Sequence, residues 1–296
     1  MIKVFIFGGL GNQMFQYAAA RALADQLDVR VCLDKSFLNI YSKNTTPRDY
    51  ELDLFSLKQS EDITSSKQRG NLFYKIYPKI KHTIFGRKIA EKFRLYEEKN
   101  TFNFDSDFLS LPDKTLLLGY FQSEKYFAQS QDVIRNCFTF KKPLSGKNAE
   151  IAEKISSTNA VSIHIRRGDY VSNKNAMNIY AQNSSEYYEK AINKVRQLVE
   201  NPVFFVFSDS PEEAKKIINC PETVFVDWNS GRDSYLDMQL MSLCKHNIIA
   251  NSSFSWWGAW LNNYEKKLVI APSNWFNDEN KNNQTADLIP EQWIRM

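Results

Sequence analysis

The sequence predicts an α/β protein of two domains, each built on a doubly wound parallel sheet, the two facing a cleft. Three observations predict it. Short apolar runs alternate with helix-length amphipathic segments throughout the C-terminal half. The N-terminus opens with the same strand, turn and helix order. A polar stretch, Lys141–Lys147, contains Pro143 and Gly146 and reads as a hinge. A length of 296 residues also fits two domains of ordinary size better than one. Residues 1–145 are expected to form the first domain and 146–296 the second.

Taken in order, Lys3–Phe7 predicts a strand, Gly8–Gly11 a turn, Asn12–Gln26 a helix, and Val29–Leu33 a second strand ending at Asp34. Residues 36–113 have weak periodicity and place no element. Thr115–Phe121 then predicts a strand and Glu124–Asn136 a helix. In the second half Ala160–Ile165 is a buried strand. Ser185–Glu200 follows as a helix with Tyr188, Ala191, Ile192, Val195, Leu198 and Val199 on one side. Val203–Phe207, Thr223–Val226, Asn247–Ala250 and a final Leu268–Ala271 are strands. They alternate with helices over Pro211–Ile218, Ser234–Cys244 and Ser253–Leu261.

Composition bounds the function. Hydrophobic residues at 43% and charged residues at 24% mark a globular chain. A net charge of +4 is too small to argue for nucleic acid, and none is expected as a partner. Charge is nevertheless concentrated: Lys67–Lys99 holds ten Lys/Arg against three Glu, interleaved with Phe73, Tyr74, Tyr77, Phe85, Phe93 and Tyr96. Such a segment is ordinarily a solvated helical face, and its second reading is contact with an anionic membrane surface. Met1–Gly8 lacks the pattern of a signal peptide, and no apolar run reaches the length of a spanning helix. Cys32, Cys137, Cys220 and Cys244 are scattered, as in a reducing compartment. A cytoplasmic location is expected, with the inner membrane face as a peripheral site, and the sequons at Asn44, Asn183, Asn251 and Asn283 then carry no weight.

Three constellations carry chemistry. Gly8-Gly9-Leu10-Gly11-Asn12-Gln13-Met14-Phe15-Gln16 follows a strand and opens a helix, where backbone N–H groups face outward at a positive dipole end. It is not a dinucleotide fingerprint, because Met14 stands where the third glycine belongs, although Asp34 lies at the distance of the ribose-binding acid. His164-Ile165-Arg166-Arg167-Gly168-Asp169-Tyr170 ends a strand; two arginines there can fork onto a diphosphate, or pair with Asp169 alone. Asn251-Ser252-Ser253-Phe254-Ser255-Trp256-Trp257-Gly258-Ala259-Trp260 follows another strand and caps a helix with hydroxyls. Its tryptophans suit a core better than a ligand face.

Together these motifs resemble glycosyltransferase family 11, the α-1,2-fucosyltransferases, whose marks GGLGNQMFQYA, HIRRGDY and NSSFSWWGAW stand here in order. The resemblance spans nearly the whole chain. It implies a GT-B-like fold with an acceptor-side N-terminal domain and a C-terminal domain for the nucleotide-sugar. It also implies a GDP-β-L-fucose donor, a galactose-terminated oligosaccharide or lipid-linked glycan as acceptor, and neither cofactor nor metal. By the same resemblance His164 and Asp209 contact guanine. Arg166 and Arg167 hold the β-phosphate, while Ser252, Ser253 and Phe254 line the diphosphate and nucleoside pocket, with Gly9 and Gly11 also on the donor side. Asn12 faces the reacting centre. One segment departs from the pattern: Ser208-Asp209-Ser210-Pro211 has Ser where a second acid is common.

Transfer to an α-link from a β-donor inverts the anomeric carbon in one displacement. Negative charge grows on the departing diphosphate, where Arg166 and the helix N-terminus at Ser252 act. Asp169 or a diphosphate oxygen takes the acceptor proton. A DxD triplet, Asp105-Ser106-Asp107, has no apolar strand before it and is not expected to bind metal. Three histidines without ligand spacing make no zinc site. The competing readings are a carbohydrate- or nucleotide-binding protein without catalysis and an NAD-dependent oxidoreductase.

Overall fold

Strands that are apolar along most of their length must be covered on both faces, and the chain solves this twice. A computed structural model describes residues 1–38, 48–58, 60–63, 76–77, 79–99, 102–167 and 179–296, with 60–63 as backbone alone. One unit comprises Met1–Lys141 and Ala286–Leu288, the other Lys142–Thr285 and Ile289–Met296.

Among the described residues the first unit holds five parallel strands: β1 (Ile2–Phe5), β2 (Val31–Asp34), β3 (Ser60–Ile63), β4 (Leu95–Glu97) and β5 (Leu116–Leu118). Their order is β3-β2-β1-β5-β4, so the chain reverses direction across the sheet between β1 and β5. Helix α1 (Leu10–Gln26) starts two residues earlier than expected and is buried from Leu10 to Ala24 apart from Asn12. Ala18, Ala19, Ala20, Ala22 and Ala24 keep it thin enough to be covered on every side. Arg21 is only 1% exposed and is held by Asp25 Oδ1 (2.6 Å) and the Val29 carbonyl (3.2 Å). Helix α2 (Ile84–Phe93) precedes β4, and α3 (Gln131–Cys137) ends the first pass of the chain through this unit.

Two expectations are corrected here. The strand expected over Thr115–Phe121 shrinks to three residues. Beyond it the Glu98 carboxylate accepts from the Tyr120 and Phe121 N–H groups (2.7 and 2.9 Å), and Phe121 turns the chain with φ +54°. The single helix expected over Glu124–Asn136 is a 3-10 turn, Glu124–Ser130, broken at the buried Phe127 (φ −135°) before α3 begins. Strands β3 and β4 fall in the stretch without readable period, because they are short and carry polar residues.

The second unit has six parallel strands in the order β11-β10-β9-β6-β7-β8: β6 (Asn159–Ile165), β7 (Pro202–Ser208), β8 (Thr223–Val226), β9 (His246–Ile248), β10 (Val269–Ala271) and β11 (Ile294–Arg295). Its helices among the described residues are α4 (Lys147–Ser156), α5 (Ser185–Leu198), α6 (Pro211–Ile217), α7 (Tyr235–Leu243), α8 (Ser253–Leu261) and the short α9 (Glu279–Asn282). Val161, Ile163 and Ile165 of β6 and Phe204 and Val206 of β7 meet Tyr188, Ala191, Ile192 and Val195 of α5 in one core. The strand expected as the last, at Leu268–Ala271, is followed by β11, whose two residues are too few to show a period. Trp256, Trp257 and Trp260 are at most 2% exposed and pack edge-on, stacked and tilted against one another and Trp293. They are core, as expected.

Asp237 on α7 is buried, and its Oδ1 accepts from Asn229 Nδ2 (2.7 Å). Burial raises its pKa to about 7, above that of the unfolded chain, so the folded state binds the extra proton between about pH 4 and 7. Stability therefore falls as pH rises through this window. Asp237→Asn keeps the acceptor oxygen and removes the charge. It should match wild type near pH 4 and be the more stable by about 1–3 kcal/mol at pH 8, read as a rise in melting temperature of several degrees. Parallel melting curves from pH 4 to 8 would refute the assignment.

Candidate active site at the C-terminal edge of the second sheet

In an open parallel sheet, ligands bind beyond the strand C-termini where the strand order reverses. In the second unit the chain runs from β6 outward through β7 and β8, then returns to β9 on the other side of β6. The reversal therefore lies between β6 and β9, and the residues leaving β9, β6 and β7 are neighbours. Two sequence motifs lie there: His164 to Arg167, at and just past the end of β6, and Asn251 to Phe254 beyond β9.

Asp209, leaving β7, binds the arginine pair. Its Oδ2 lies 2.8 Å from Arg166 Nη1, and its Oδ1 accepts from the Arg167 backbone N–H at 2.8 Å. One carboxylate thus fixes an arginine side chain and the path of the loop that carries it. Both partners of the ion pair are about a quarter exposed (24% and 23%), so the guanidinium is oriented while its edge meets solvent. The Arg167 guanidinium instead donates to Gln182 Oε1 (3.1 Å) and the Asn183 carbonyl (2.9 Å). Asn251 braces that segment, donating to the Ala181 and Trp275 carbonyls (2.7 and 2.9 Å) and accepting from Asn183 Nδ2 (3.4 Å). The two arginines are therefore unequal: Arg166 is set by a carboxylate at the strand end, and Arg167 is used in holding the 181–183 segment.

His164 is 4% exposed and its Nδ1 makes no hydrogen bond. Burial lowers its pKa to about 4; Asp209 opposes the fall and Arg166 adds to it. The ring is therefore neutral at physiological pH and offers a lone pair or an N–H without a charge. It lies 5.6 Å from the Phe254 ring, tilted by 37°. Ser252 caps α8, its Oγ accepting from Phe254 N–H at 3.3 Å, and Ser253 is the first residue of the helix. The structure thus gathers His164, Arg166, Arg167, Asp209, Ser252, Ser253 and Phe254 along one sheet edge. Asp169 lies outside the described residues, as do its neighbours 168 and 170–178.

The remaining expected residues belong to the first unit, at its own reversal. Gly8 adopts φ +78°, and a Cβ there would sit 2.7 Å from Asn12 Nδ2, so only glycine fits. Gly9 is the N-cap of α1, its carbonyl accepting from Asn12 and Gln13, and Gly11 is buried in the first turn. Asn12 Oδ1 accepts from Gln122 Nε2 (2.7 Å). Gln13 ties the Gly8 and Asp49 carbonyls (2.9 and 2.8 Å) and accepts from Glu51 N–H (3.0 Å). The sequence gives no sign of these amide partners, since Gln122, Gln182 and Asn183 stand in no periodic pattern. Asp34 is used internally, paired with Lys3 Nζ (3.1 Å) and accepting from Ser36 N–H (3.0 Å), and Met14 is fully buried. Neither suits a nicotinamide dinucleotide. Asp105 and Asp107 both contact Lys99 Nζ (3.1 and 2.8 Å), and Asp105 also accepts from the Tyr96 hydroxyl (2.7 Å). Among the described residues no three His, Cys, Asp or Glu side chains cluster as metal ligands. Nor is any helix among them long and apolar enough to cross a membrane.

The fold is GT-B, with two parallel α/β sheets. Fucosyltransferase NodZ from Bradyrhizobium aligns over 86% of this chain and 91% of its own, with TM-score 0.51 at 14% identity. An Escherichia coli α-1,2-colitosyltransferase is 36% identical over 98% of this chain and 96% of the relative. The O-antigen biosynthesis glycosyltransferase WbnK of Escherichia coli is 35% identical over 98% of each. A galactoside α-(1,2)-fucosyltransferase 1 from Leontocebus fuscicollis is 26% identical over 52% of this chain and 45% of its own. The model of glycosyl transferase family 11 matches residues 1–296. With all three motifs in order and relatives above 30% identity along its length, the chain belongs to glycosyl transferase family 11.

Proposed function

We propose that the chain is an inverting α-1,2-fucosyltransferase, moving L-fucose from GDP-β-L-fucose to the 2-hydroxyl of a terminal galactose on a free or lipid-linked glycan. The observation that carries the reading is the Arg166–Asp209 pair at the sheet reversal of a family 11 chain. Arg166 neutralises charge on the departing diphosphate, helped by the N-terminus of α8 at Ser252 and Ser253. His164 and Asp209 read the guanine, Phe254 flanks the nucleoside, and Arg167 supports the loop. Gly9 and Gly11 shape the turn that opens α1, and the family resemblance assigns Asn12 to the reaction. Asp169 or a diphosphate oxygen accepts the proton. Colitose is L-fucose without its 3-hydroxyl, and one relative is named for transferring it. GDP-colitose is therefore the second donor to compare.

Metal independence belongs to the same proposal, since Arg166 supplies the positive charge that a divalent ion would and Lys99 occupies the DxD carboxylates. Incubation with GDP-fucose and lactose in excess EDTA should release GDP and form fucosyl-lactose at the rate seen with added Mg²⁺ or Mn²⁺. A collapse restored by metal would overturn metal independence. GDP release from GDP-colitose alone would replace the donor, and binding without turnover of either would leave a non-catalytic protein.

A further inference from the structure

We propose that α2 is a docking element for an anionic lipid surface. The helix is fixed at both ends: the Thr83 hydroxyl accepts from Gly86 N–H (3.1 Å), and Arg94 closes it in the left-handed region with φ 48°. It is also fixed from below. A Cβ at Gly86 would lie 2.0 Å from the Ile80 carbonyl oxygen, so the helix backbone rests directly on the preceding turn. That turn is tied to β4 by the Lys81–Glu97 ion pair (2.6 Å). The contact is made through Gly86, the buried residue of α2, and Ala90, one turn further on the same side, is half-buried.

What remains outside is apolar and basic. The 3.6-residue period sets Phe85, Ile89 and Phe93 in one stripe. Phe85 is 66% exposed and Phe93 54%, Ile89 between them is half-buried, and Ile84 at the start of the helix is 76% exposed. A folded chain has no reason to spend such side chains on water in one place. Lys88 and Lys92 lie on the next positions round the helix from Phe85. With those of Lys79 and Arg87, their side chains make no hydrogen bond or ion pair among the described residues. Among the described residues 79–99, acidic groups do not balance them. Glu97 is matched by Lys81, and Glu98 accepts from the Tyr120 and Phe121 N–H groups, which leaves Glu91 on the helix itself.

Charge complementarity selects the occupant. An exposed aromatic stripe bordered by unpaired lysines matches the headgroup zone of an anionic bilayer. There the rings enter the acyl boundary while lysine stems lie along it and their ammonium groups meet phosphate. A second copy of this chain would bring the same lysines against themselves.

The test uses the full chain and vesicles of phosphatidylcholine with or without about a third phosphatidylglycerol, sedimented at about 0.1 M and 0.5 M salt. Binding is expected to the anionic vesicles at low salt, with little to neutral ones. Phe85→Ser with Phe93→Ser, and separately Lys88→Glu with Lys92→Glu, should each weaken it at least about tenfold while leaving turnover of a soluble acceptor unchanged. Equal binding to neutral vesicles, or unaltered binding by both variants, overturns the proposal. So does a wild-type dimer that the Phe85/Phe93 variant dissolves without any vesicle binding, since a protein copy then covers the face. These outcomes are independent of the donor and acceptor, because both variants retain the candidate active site.

Discussion

Arg166→Ala should lower kcat/KM for GDP-fucose by at least about 100-fold while leaving the fold intact. The arginine leaves the C-terminal end of β6, where the strand order reverses, and Asp209 Oδ2 holds its Nη1 at 2.8 Å. Such a preset donor needs no reorganisation as the diphosphate gains charge, and losing one typically costs ~10²–10³ in rate. The side chain is 24% exposed, so truncation opens no core cavity, and the melting temperature should change little. Arg166→Lys keeps the charge but not the fork, and should fall between the two. GDP affinity should fall less than kcat/KM, because the developing charge is largest in the transition state. A variant retaining more than about a tenth of wild-type kcat/KM has lost under ~1.4 kcal/mol, and the arginine would then not stabilise the leaving group.

The parts of the chain that were readable in advance share a physical cause. β6, β7 and α8 are buried on nearly every side, so their sequences must be apolar along most of their length, and Ser253–Leu261 is found at its expected bounds. The strand-end motifs stand out because polar residues follow abruptly on apolar ones, as at Ile165-Arg166-Arg167. What escaped is held by long-range polar contacts or by too few residues. Glu98 ends the strand expected to run to Phe121 by binding two backbone N–H groups 22 and 23 residues on. No local pattern encodes that. The return of Ala286–Leu288 to the first unit depends on Asp287, which accepts from Lys125 Nζ (2.6 Å) and Phe104 N–H (2.8 Å), 162 and 183 residues away. The residues of the candidate site stand out in the sequence by type, but the contacts that divide their roles do not. Arg166 and Arg167 are adjacent and of one type, and it is Asp209 on the first and Gln182 and Asn183 on the second that divide their roles.

Asp209→Asn should weaken GDP binding by roughly 1.5–3 kcal/mol, and IDP binding by less. The carboxylate already accepts from Arg166 Nη1 and from Arg167 N–H, one on each oxygen. Each oxygen keeps a second lone pair, so a guanine presenting N1–H and N2–H can be added without breaking either contact. Asparagine is nearly isosteric but replaces one acceptor with an NH₂ group. If its oxygen stays on the Arg167 N–H, the NH₂ faces the Arg166 guanidinium, donor against donor, and the arginine loses its anchor. That loss acts on the diphosphate and is common to both nucleotides. The guanine contact adds a separate loss, and inosine, which has no N2–H, escapes half of it. Calorimetry of GDP and IDP with wild type and variant separates the two contributions, and kcat reports on the arginine alone. A larger loss for GDP assigns guanine recognition to Asp209. Equal losses, with kcat reduced, would mean that Asp209 acts only by positioning Arg166, and that the base is read by other groups along the same sheet edge.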